Sequence, residues 1–315
     1  MKSIYLLLFI VSGIMTGCHR HEYYDLETQA AGNIRIIFDW EGYTDIPPGM
    51  NLIFYPVTDE NHARGGYTGV PIPFQLQYDG GKISLPVGKC NVVMYNDYTY
   101  SILYRGMESF FTAEAYLESN DRQPLSSRSA GTRNVAAPDI FYVAQIVKLN
   151  IEPHEGERTI IVRPILKTLK LYVHVEMKGV QYVSMADGGI TGAAGDIELS
   201  TGESTEGECN RLFPFSINDE GLYAATTMFL MDNPMNRHYT LELAFLLRNN
   251  TVSMGKFVYD VTGQIVSRLG ENNGLVPPKG IHIYIKDVEV DEVNSSGGFD
   301  AIVDNWGDEV NIELK

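Results

Sequence analysis

Short runs of alternating apolar and polar residues recur along the chain, and they limit its fold more than any other feature. In the clearest run, from Leu169 to Met177, every odd position is apolar and every even position carries a polar or tyrosine side chain. Successive side chains of a β-strand point to opposite faces, so this alternation predicts a strand with one buried face. A similar run begins at Asn33. Gly and Pro clusters between the runs are typical of tight turns, and the pattern predicts an all-β fold.

The other strands are predicted from shorter runs of the same kind. They cover residues 51–55, 74–78, 83–87, 91–95, 141–143, 146–151, 159–162, 212–217, 224–231, 239–248, 252–261, 281–290 and 310–314. In Ile281–Val290 the apolar phase shifts by one residue, which predicts a β-bulge near Lys286 and Asp287. Residues 118–138 lack any apolar period and are predicted to form a long exposed loop. No window of eleven or more residues has a helical stripe.

The length of the chain predicts two folded units, with a single large domain as the alternative. Its 315 residues exceed what one hydrophobic core usually supports, and 44% apolar and 20% charged residues are ordinary globular usage. We place the boundary near Arg163 and Pro164. The prediction is a tandem of two β-sandwiches, at residues 33–163 and 164–315.

The first residues have the features of an export signal. Lys2 is followed by an apolar run, Ile4–Val11, that is too short to span a bilayer, and the run ends in small residues before Cys18. Met15-Thr16-Gly17-Cys18 resembles the lipobox of bacterial lipoproteins, although Met15 replaces the usual Leu. The resemblance implies that residues 1–17 are a lipoprotein signal peptide and that Cys18 carries the lipid. The alternative is an ordinary cleaved signal with an unmodified Cys18.

Lipidation at Cys18 implies durable attachment of the folded body to a membrane of the cell envelope. Each buried methylene contributes about 0.8 kcal/mol, so two or three acyl chains hold a protein durably where one does not. Residues 18–32 are polar and aperiodic and are predicted to be a tether. His19, His21 and Glu22 within it match no closed metal site, so no metal is predicted.

The two remaining cysteines leave one disulfide open as an alternative. Cys90 lies in a strand-like run, whereas Cys209 follows a polar stretch rich in Gly and Glu. We interpret them as two separate thiols, one of them buried.

Charge and motifs argue against several classes of function. The formal charge of −16 repels nucleic acids and anionic surfaces, so no nucleic-acid partner is expected. The chain has no phosphate-binding Gly-rich loop with Lys, no Gly-x-Ser-x-Gly and no His-Glu-x-x-His. No catalytic residue, cofactor or metal is predicted, and the chain is interpreted as non-enzymatic.

Several aromatic and histidine residues suggest an alternative role in binding glycans. Tyrosines are favoured on half-buried sheet faces, so their abundance does not require a ligand. His174 lies on the polar side of its run and is interpreted as a solvated surface residue. The other residues considered for ligand contact are Tyr23, Tyr24, Tyr95, Tyr98, Tyr100, His154 and Glu155.

Three stretches of the sequence are similar to one known family. They are residues 83–96 (ISLPVGKCNVVMYN), 190–202 (ITGAAGDIELSTG) and 298–306 (GFDAIVDNW). With the lipobox and the tether, they resemble the fimbrillin-like lipoproteins of Bacteroidales, in particular fimbrial anchors and minor subunits. The resemblance implies two transthyretin-like β-sandwiches, lipid attachment to the outer membrane with the body at the cell surface, a role in cell adhesion, and fimbrial subunits or other surface proteins as partners.

The resemblance also implies assembly by strand complementation, in which a terminal strand of one subunit completes the sheet of another. An added strand pairs with the backbone groups of an open sheet edge, while alternate side chains fill apolar pockets. Val310, Ile312 and Leu314 alternate with polar residues as such a donor requires. The alternative is an ordinary last strand paired within its own domain.

Polymerising fimbrillins lose an N-terminal strand by cleavage after an Arg, and this chain has arginines that could be cut. Arg122, Arg128 and Arg133 lie in the predicted loop. An anchor must keep its lipid, so we predict that the N-terminus is retained. A monomeric surface glycan-binding lipoprotein is the alternative function.

Overall fold

The computed structural model describes residues 31–40, 42–57, 70–120, 133–153, 157–205, 207–249 and 252–291, with no side chains at 253–256. The predicted signal peptide, Cys18, most of the tether, and the C-terminal segment with Val310, Ile312 and Leu314 lie outside these residues. Lipidation and strand donation therefore stay predictions.

The described residues form twenty β-strands and one α-helix. The first ten strands are β1 (Ala31–Phe38), β2 (Gly49–Val57), β3 (Ile72–Gln77), β4 (Gly81–Pro86), β5 (Gly88–Asn96), β6 (Ile102–Arg105), β7 (Glu114–Leu117), β8 (Asn134–Val135), β9 (Tyr142–Ile151) and β10 (Arg158–Val162). The others are β11 (Ile165–Leu166), β12 (Thr168–Lys178), β13 (Val183–Ala194), β14 (Asp196–Glu198), β15 (Cys209–Pro214), β16 (Ser216–Asn218), β17 (Gly221–Leu230), β18 (Thr240–Leu247), β19 (Val252–Asp260) and β20 (Ile281–Glu289), with helix α1 (Thr262–Glu271). Predominant β structure is confirmed.

Two sheets enclose the smaller core. One has the order β10-β1-β4 and the other β11-β9-β5-β2-β3. Strand β1 is parallel to β10 and antiparallel to β4, so it is hydrogen-bonded on both sides. Alternate residues Ile34, Ile36 and Phe38 point inward and are buried, as the period of two requires.

The larger core lies between a nine-stranded sheet and a three-stranded sheet. The main path of the former is β19-β18-β13-β17-β12-β20, and the latter has the order β14-β7-β6. Leu171 of β12 and Ala115 of β7 belong to one apolar cluster, which also includes Val93 of β5. The five-stranded sheet therefore contributes to both cores, and β7 pairs with β14 across the predicted boundary. The division into two transthyretin-like units at residue 163 stays a prediction.

Several elements of secondary structure were not predicted from the sequence. Helix α1 was missed because its apolar contact is narrow: Ile265 and Leu269 are its buried residues. At the start of the helix, the Thr262 N–H donates a hydrogen bond to Oδ1 of the Asp260 side chain at 2.9 Å. The predicted loop at 118–138 contains β8, in which Val135 is fully buried. A two-residue strand is too short to have a visible period.

Strand β13 also escaped prediction, because it has glycines where alternation needs side chains. A Cβ on Gly188 would lie 2.6 Å from the Phe215 ring, so the neighbouring aromatic rings of Phe213 and Phe215 fill the space over this strand. The predicted bulge in β20 is confirmed. Its register against β12 shifts between the pairs at Val175 and Met177, and Asp287 has a φ of 59°.

Candidate functional site

The tyrosines proposed from the sequence for ligand contact, where the structure describes them, differ in burial and environment. Tyr95 packs on Tyr104 with ring centroids 4.6 Å apart, and burial raises its pKa. Tyr98 and Tyr100 are exposed. His19, His21, Glu22, Tyr23, Tyr24, His154 and Glu155 lie outside the described residues.

Cys90 and Cys209 are both buried, in different cores, and no disulfide joins them. Two separate thiols are therefore confirmed, and both are buried where one was expected. Burial raises the pKa of the Cys90 thiol to about 12, because the charged thiolate is poorly solvated there.

The chain that leads from the predicted tether enters the fold through β1. Beyond the end of this strand, Asp39 accepts a hydrogen bond from Arg163 at 2.6 Å. Trp40 donates from its Nε1 to the Tyr78 carbonyl at 2.5 Å and meets the Tyr142 ring edge-on at 5.1 Å. Strand β1, which begins the described chain, is thus a central strand that is held along its length and at its far end.

A row of aromatic and histidine side chains covers part of the outer face of the nine-stranded sheet. We call it the aromatic row; its members are Tyr172 and His174 of β12, Tyr223 of β17, and His282 and Tyr284 of β20. The strand register places His174 opposite both Tyr223 and Tyr284. The His174 ring stacks on Tyr284 at 4.8 Å with 14° between the planes, and Tyr172 stacks on His282 at 4.8 Å.

The two histidines of the row are hydrogen-bonded to each other. His174 Nε2 lies 3.1 Å from His282 Nδ1. This bond needs at least one neutral ring, because two imidazolium rings carry no acceptor nitrogen. Burial, and to a lesser extent the charge of His282, lowers the pKa of His174. His174 does lie on the polar side of β12, as predicted, but it is not an isolated surface residue.

An open depression of about 490 Å³ lies beside the aromatic row. Two backbone features form it. Opposite Glu176 of β12 stands Gly221, which has a φ of +149° and approaches β12 so closely that a Cβ would lie 2.0 Å from the Val175 carbonyl oxygen. On the other side of Glu176, the bulge at Lys286 and Asp287 interrupts the pairing of β20. Gly221 contributes no side chain opposite Glu176, and the bulge interrupts the pairing of β20, so the space around Glu176 is open.

The depression has an aromatic wall and a polar rim. Its lining includes Tyr223, His174 and Tyr284 from the row, and Glu176, Asn218, Glu220 and Lys286 from the rim. Asn218 is held by its own turn: its Oδ1 accepts from the N–H groups of Glu220 at 3.0 Å and Gly221 at 2.9 Å. The sequence contains these residues at separated positions and gives no direct signal that they meet.

Helix α1 covers one point on the outer edge of β20. The Gln264 side chain accepts a hydrogen bond from the Tyr284 N–H at 2.8 Å and donates to the Tyr284 carbonyl at 3.1 Å. Among the described residues β20 is the last strand of its sheet, so these two backbone groups would otherwise face outward. Gln264 therefore occupies the bonds that an added strand would need at Tyr284.

Neither a metal-ligand cluster nor a membrane-spanning helix is present in the described residues. No group of three or more His, Cys, Asp or Glu side chains in this part of the chain is arranged to hold a metal ion. No helix within it combines the length and apolarity needed to cross a bilayer.

The chain has a β-rich fold that is similar to those of Bacteroidales adhesins and a fimbrial anchor protein. It belongs to the family described as a domain of unknown function, DUF5119, whose model matches residues 17–214. The proposed fimbrium anchoring subunit Fim4B of Bacteroides ovatus is 29% identical to it, over 96% of this chain and 94% of the relative. The resemblance predicted from the sequence is therefore confirmed.

Solved structures agree with this assignment. The crystal structure of a proposed adhesin from Bacteroides ovatus has a TM-score of 0.65 and 28% identity, covering 88% of this chain and 97% of that chain. The fimbrial anchor protein Mfa2 of Porphyromonas gingivalis has a TM-score of 0.51 and 12% identity, covering 81% and 90%. At that identity the second similarity supports the fold alone.

Proposed function

We propose that the chain is a non-enzymatic surface lipoprotein that serves as a fimbrial anchor or accessory subunit in cell adhesion. The observation that carries this proposal is the similarity over nearly the full length to the proposed fimbrium anchoring subunit Fim4B. In the proposal, acyl chains on Cys18 hold the protein in the outer membrane, and residues 18–32 link them to the folded body.

The position of β1 supports this role. A tether attached to an edge strand could be peeled away one hydrogen bond at a time, whereas β1 is paired on both sides. Its buried side chains anchor it further in the smaller core. A pull on the tether is thus resisted by two ladders of backbone bonds and by apolar burial, as an anchor requires. We also propose that the N-terminus is retained, because cleavage ahead of β1 would separate body and lipid.

Replacement of Cys18 tests the anchoring. We expect the native protein to partition into the detergent phase of a Triton X-114 extraction and the Cys18→Ser variant to partition into the aqueous phase. Cys90→Ser is the matched control, since Cys90 is a buried thiol of the core. Aqueous partitioning of the native protein would refute lipidation.

We further propose that the protein joins fimbrial subunits by strand complementation, with Val310, Ile312 and Leu314 as apolar donor positions. Deletion of residues 310–315 is expected to release fibres into the medium while the protein itself stays in the membrane fraction. Replacing the intervening polar residues Asn311 and Glu313 with Ser is the control, since it keeps the apolar positions. Fibres that remain attached in the deletion strain would contradict this assembly.

A further inference from the structure

We propose that the depression beside the aromatic row is a binding site for a neutral carbohydrate. The site is formed by Tyr223, His174 and Tyr284 on one side and by Glu176, Glu220 and Asn218 on the other. It goes beyond the anchoring role, because none of these residues takes part in lipidation or in the proposed donor strand.

The shape of the depression suits a small ring-shaped ligand. Its volume of about 490 Å³ lies within the usual range for small-molecule sites and leaves room for one or two pyranose rings. Gly221 lines this space without a side chain, and a Cβ there would collide with the backbone of β12. A ligand would therefore enter a preformed site and would not have to displace a packed residue.

The wall of the depression offers apolar contact that is accessible to a ligand. Tyr284 is 56% exposed and Tyr223 is 36% exposed, although both are large aromatic residues on a sheet face. His174 lies between them and supports Tyr284 by stacking. Aromatic rings pack well on the C–H face of a pyranose, and each tyrosine also presents a hydroxyl that can exchange hydrogen bonds with sugar hydroxyls.

The rim supplies groups that match the hydroxyls of a sugar. The carboxylates of Glu176 and Glu220 accept hydrogen bonds, and the ammonium group of Lys286 donates them. The Asn218 carbonyl oxygen is engaged by its own turn, which orients the side chain and leaves the Nδ2 amide hydrogens for a ligand. Donors and acceptors on both sides of an aromatic surface suit a polyhydroxylated ligand better than an apolar one.

The charge of the rim selects against acidic sugars. Two carboxylates face one ammonium group, and the whole chain has a net charge of −16. A uronic or sialic acid would bring a third carboxylate into this field and would be repelled. We therefore expect neutral hexoses to bind and their uronate counterparts to bind much more weakly.

Saturation-transfer NMR on the full mature chain in detergent micelles tests the proposal. The probes are the methyl glycosides of glucose, galactose, mannose and N-acetylglucosamine, with methyl glucuronide as the charged counterpart of the glucoside. We expect at least one neutral glycoside to bind with a millimolar dissociation constant. The dissociation constant should increase at least tenfold in Tyr284→Leu and in Glu220→Gln.

The control variant is Tyr100→Leu, because Tyr100 is 86% exposed and does not line the depression. It should bind as the native protein does, and circular dichroism should verify that each variant is folded. The proposal is overturned by no binding of any neutral glycoside at 50 mM (roughly fifty times a 1 mM dissociation constant), by equal binding in the site variants, or by tighter binding of the glucuronide. Membrane attachment and fibre retention are scored separately, and Tyr284→Leu should leave both unchanged.

Discussion

His174 Nε2 and His282 Nδ1 lie 3.1 Å apart on adjacent parallel strands, and the two rings are stacked within 18° of each other. The two residues are separated by 108 positions in the chain. Their contact links β20, the last described strand, to β12, the strand with the clearest predicted alternation, and it makes the aromatic row sensitive to protonation.

Replacement of His282 should raise the pKa of His174. Burial and the charge of His282 both lower this pKa, so in His282→Phe it should move back toward its usual value near 6.5, although burial remains. An NMR pH titration of the His174 ring measures the change. Tyr223→Phe is the control, since it keeps an uncharged ring 5.2 Å from His174. A pKa that stays constant or falls in His282→Phe would contradict the assigned cause.

The same shift predicts how stability changes with pH. The folded-state pKa of His174 is below its unfolded value. As the pH falls, His174 is therefore protonated at a higher pH in the unfolded chain than in the folded one. The contribution of His174 to stability should be complete above about pH 6.5 and should decrease as the pH falls from there through the folded-state pKa. Urea unfolding of the native protein and of His174→Phe between pH 7.5 and 5 should give curves whose difference changes over this interval. A constant difference would exclude the effect.

Gln264→Leu should both destabilise the protein and open the edge of β20. The variant loses two hydrogen bonds to the Tyr284 backbone, and we expect the free energy of unfolding to fall by about 1–3 kcal/mol. The uncovered edge should also promote concentration-dependent association, measured by sedimentation velocity. Arg268→Gln is the control on the same helix, because its ion pair with Glu271 is exposed. A monomeric variant of unchanged stability would mean that Gln264 does not protect this edge.

Gly221→Ala should be strongly destabilising, because a Cβ would lie 2.0 Å from the Val175 carbonyl oxygen and φ is +149°. We expect a loss of about 3 kcal/mol in the free energy of unfolding, measured in guanidinium. Gly263→Ala is the matched control. That residue is exposed in α1 with no atom within 4 Å of the added Cβ, so alanine should stabilise by about 0.5–1 kcal/mol. Equal effects of the two substitutions would contradict the close approach at Gly221.

The thiols of Cys90 and Cys209 should be unreactive toward a thiol reagent in the folded protein and reactive in the unfolded one. With a Cys90 pKa of about 12, very little thiolate forms at pH 8, and burial restricts access to both sulfurs. In a Cys18→Ser chain, Ellman's reagent should detect no fast-reacting thiol under native conditions and two thiols in guanidinium without reductant. Adding Cys90→Ser should reduce the number of thiols detected in guanidinium to one. Detection of no thiol in guanidinium would instead indicate a disulfide.

Local patterns determined much of the fold. The period of two in β1 and β12 follows from strand geometry, and it was visible because one face of each strand is buried. The bulge in β20 was visible for the same reason, since an extra residue shifts the phase of that period. Helix α1 and strands β8 and β13 were not visible. The first is short, the second has two residues, and in β13 glycines replace the side chains whose alternation would have marked it.

Local sequence patterns account for the β character of this protein and for its resemblance to fimbrial anchor proteins, and they favoured two separate internal thiols. Contacts between distant parts of the chain fix the position of β1, the backbone edge that Gln264 covers and the residues that line the depression. Alternation is set by nearest neighbours along the chain. The depression depends on the register of β12 against β17 and β20, and that register comes from contacts between residues far apart in sequence.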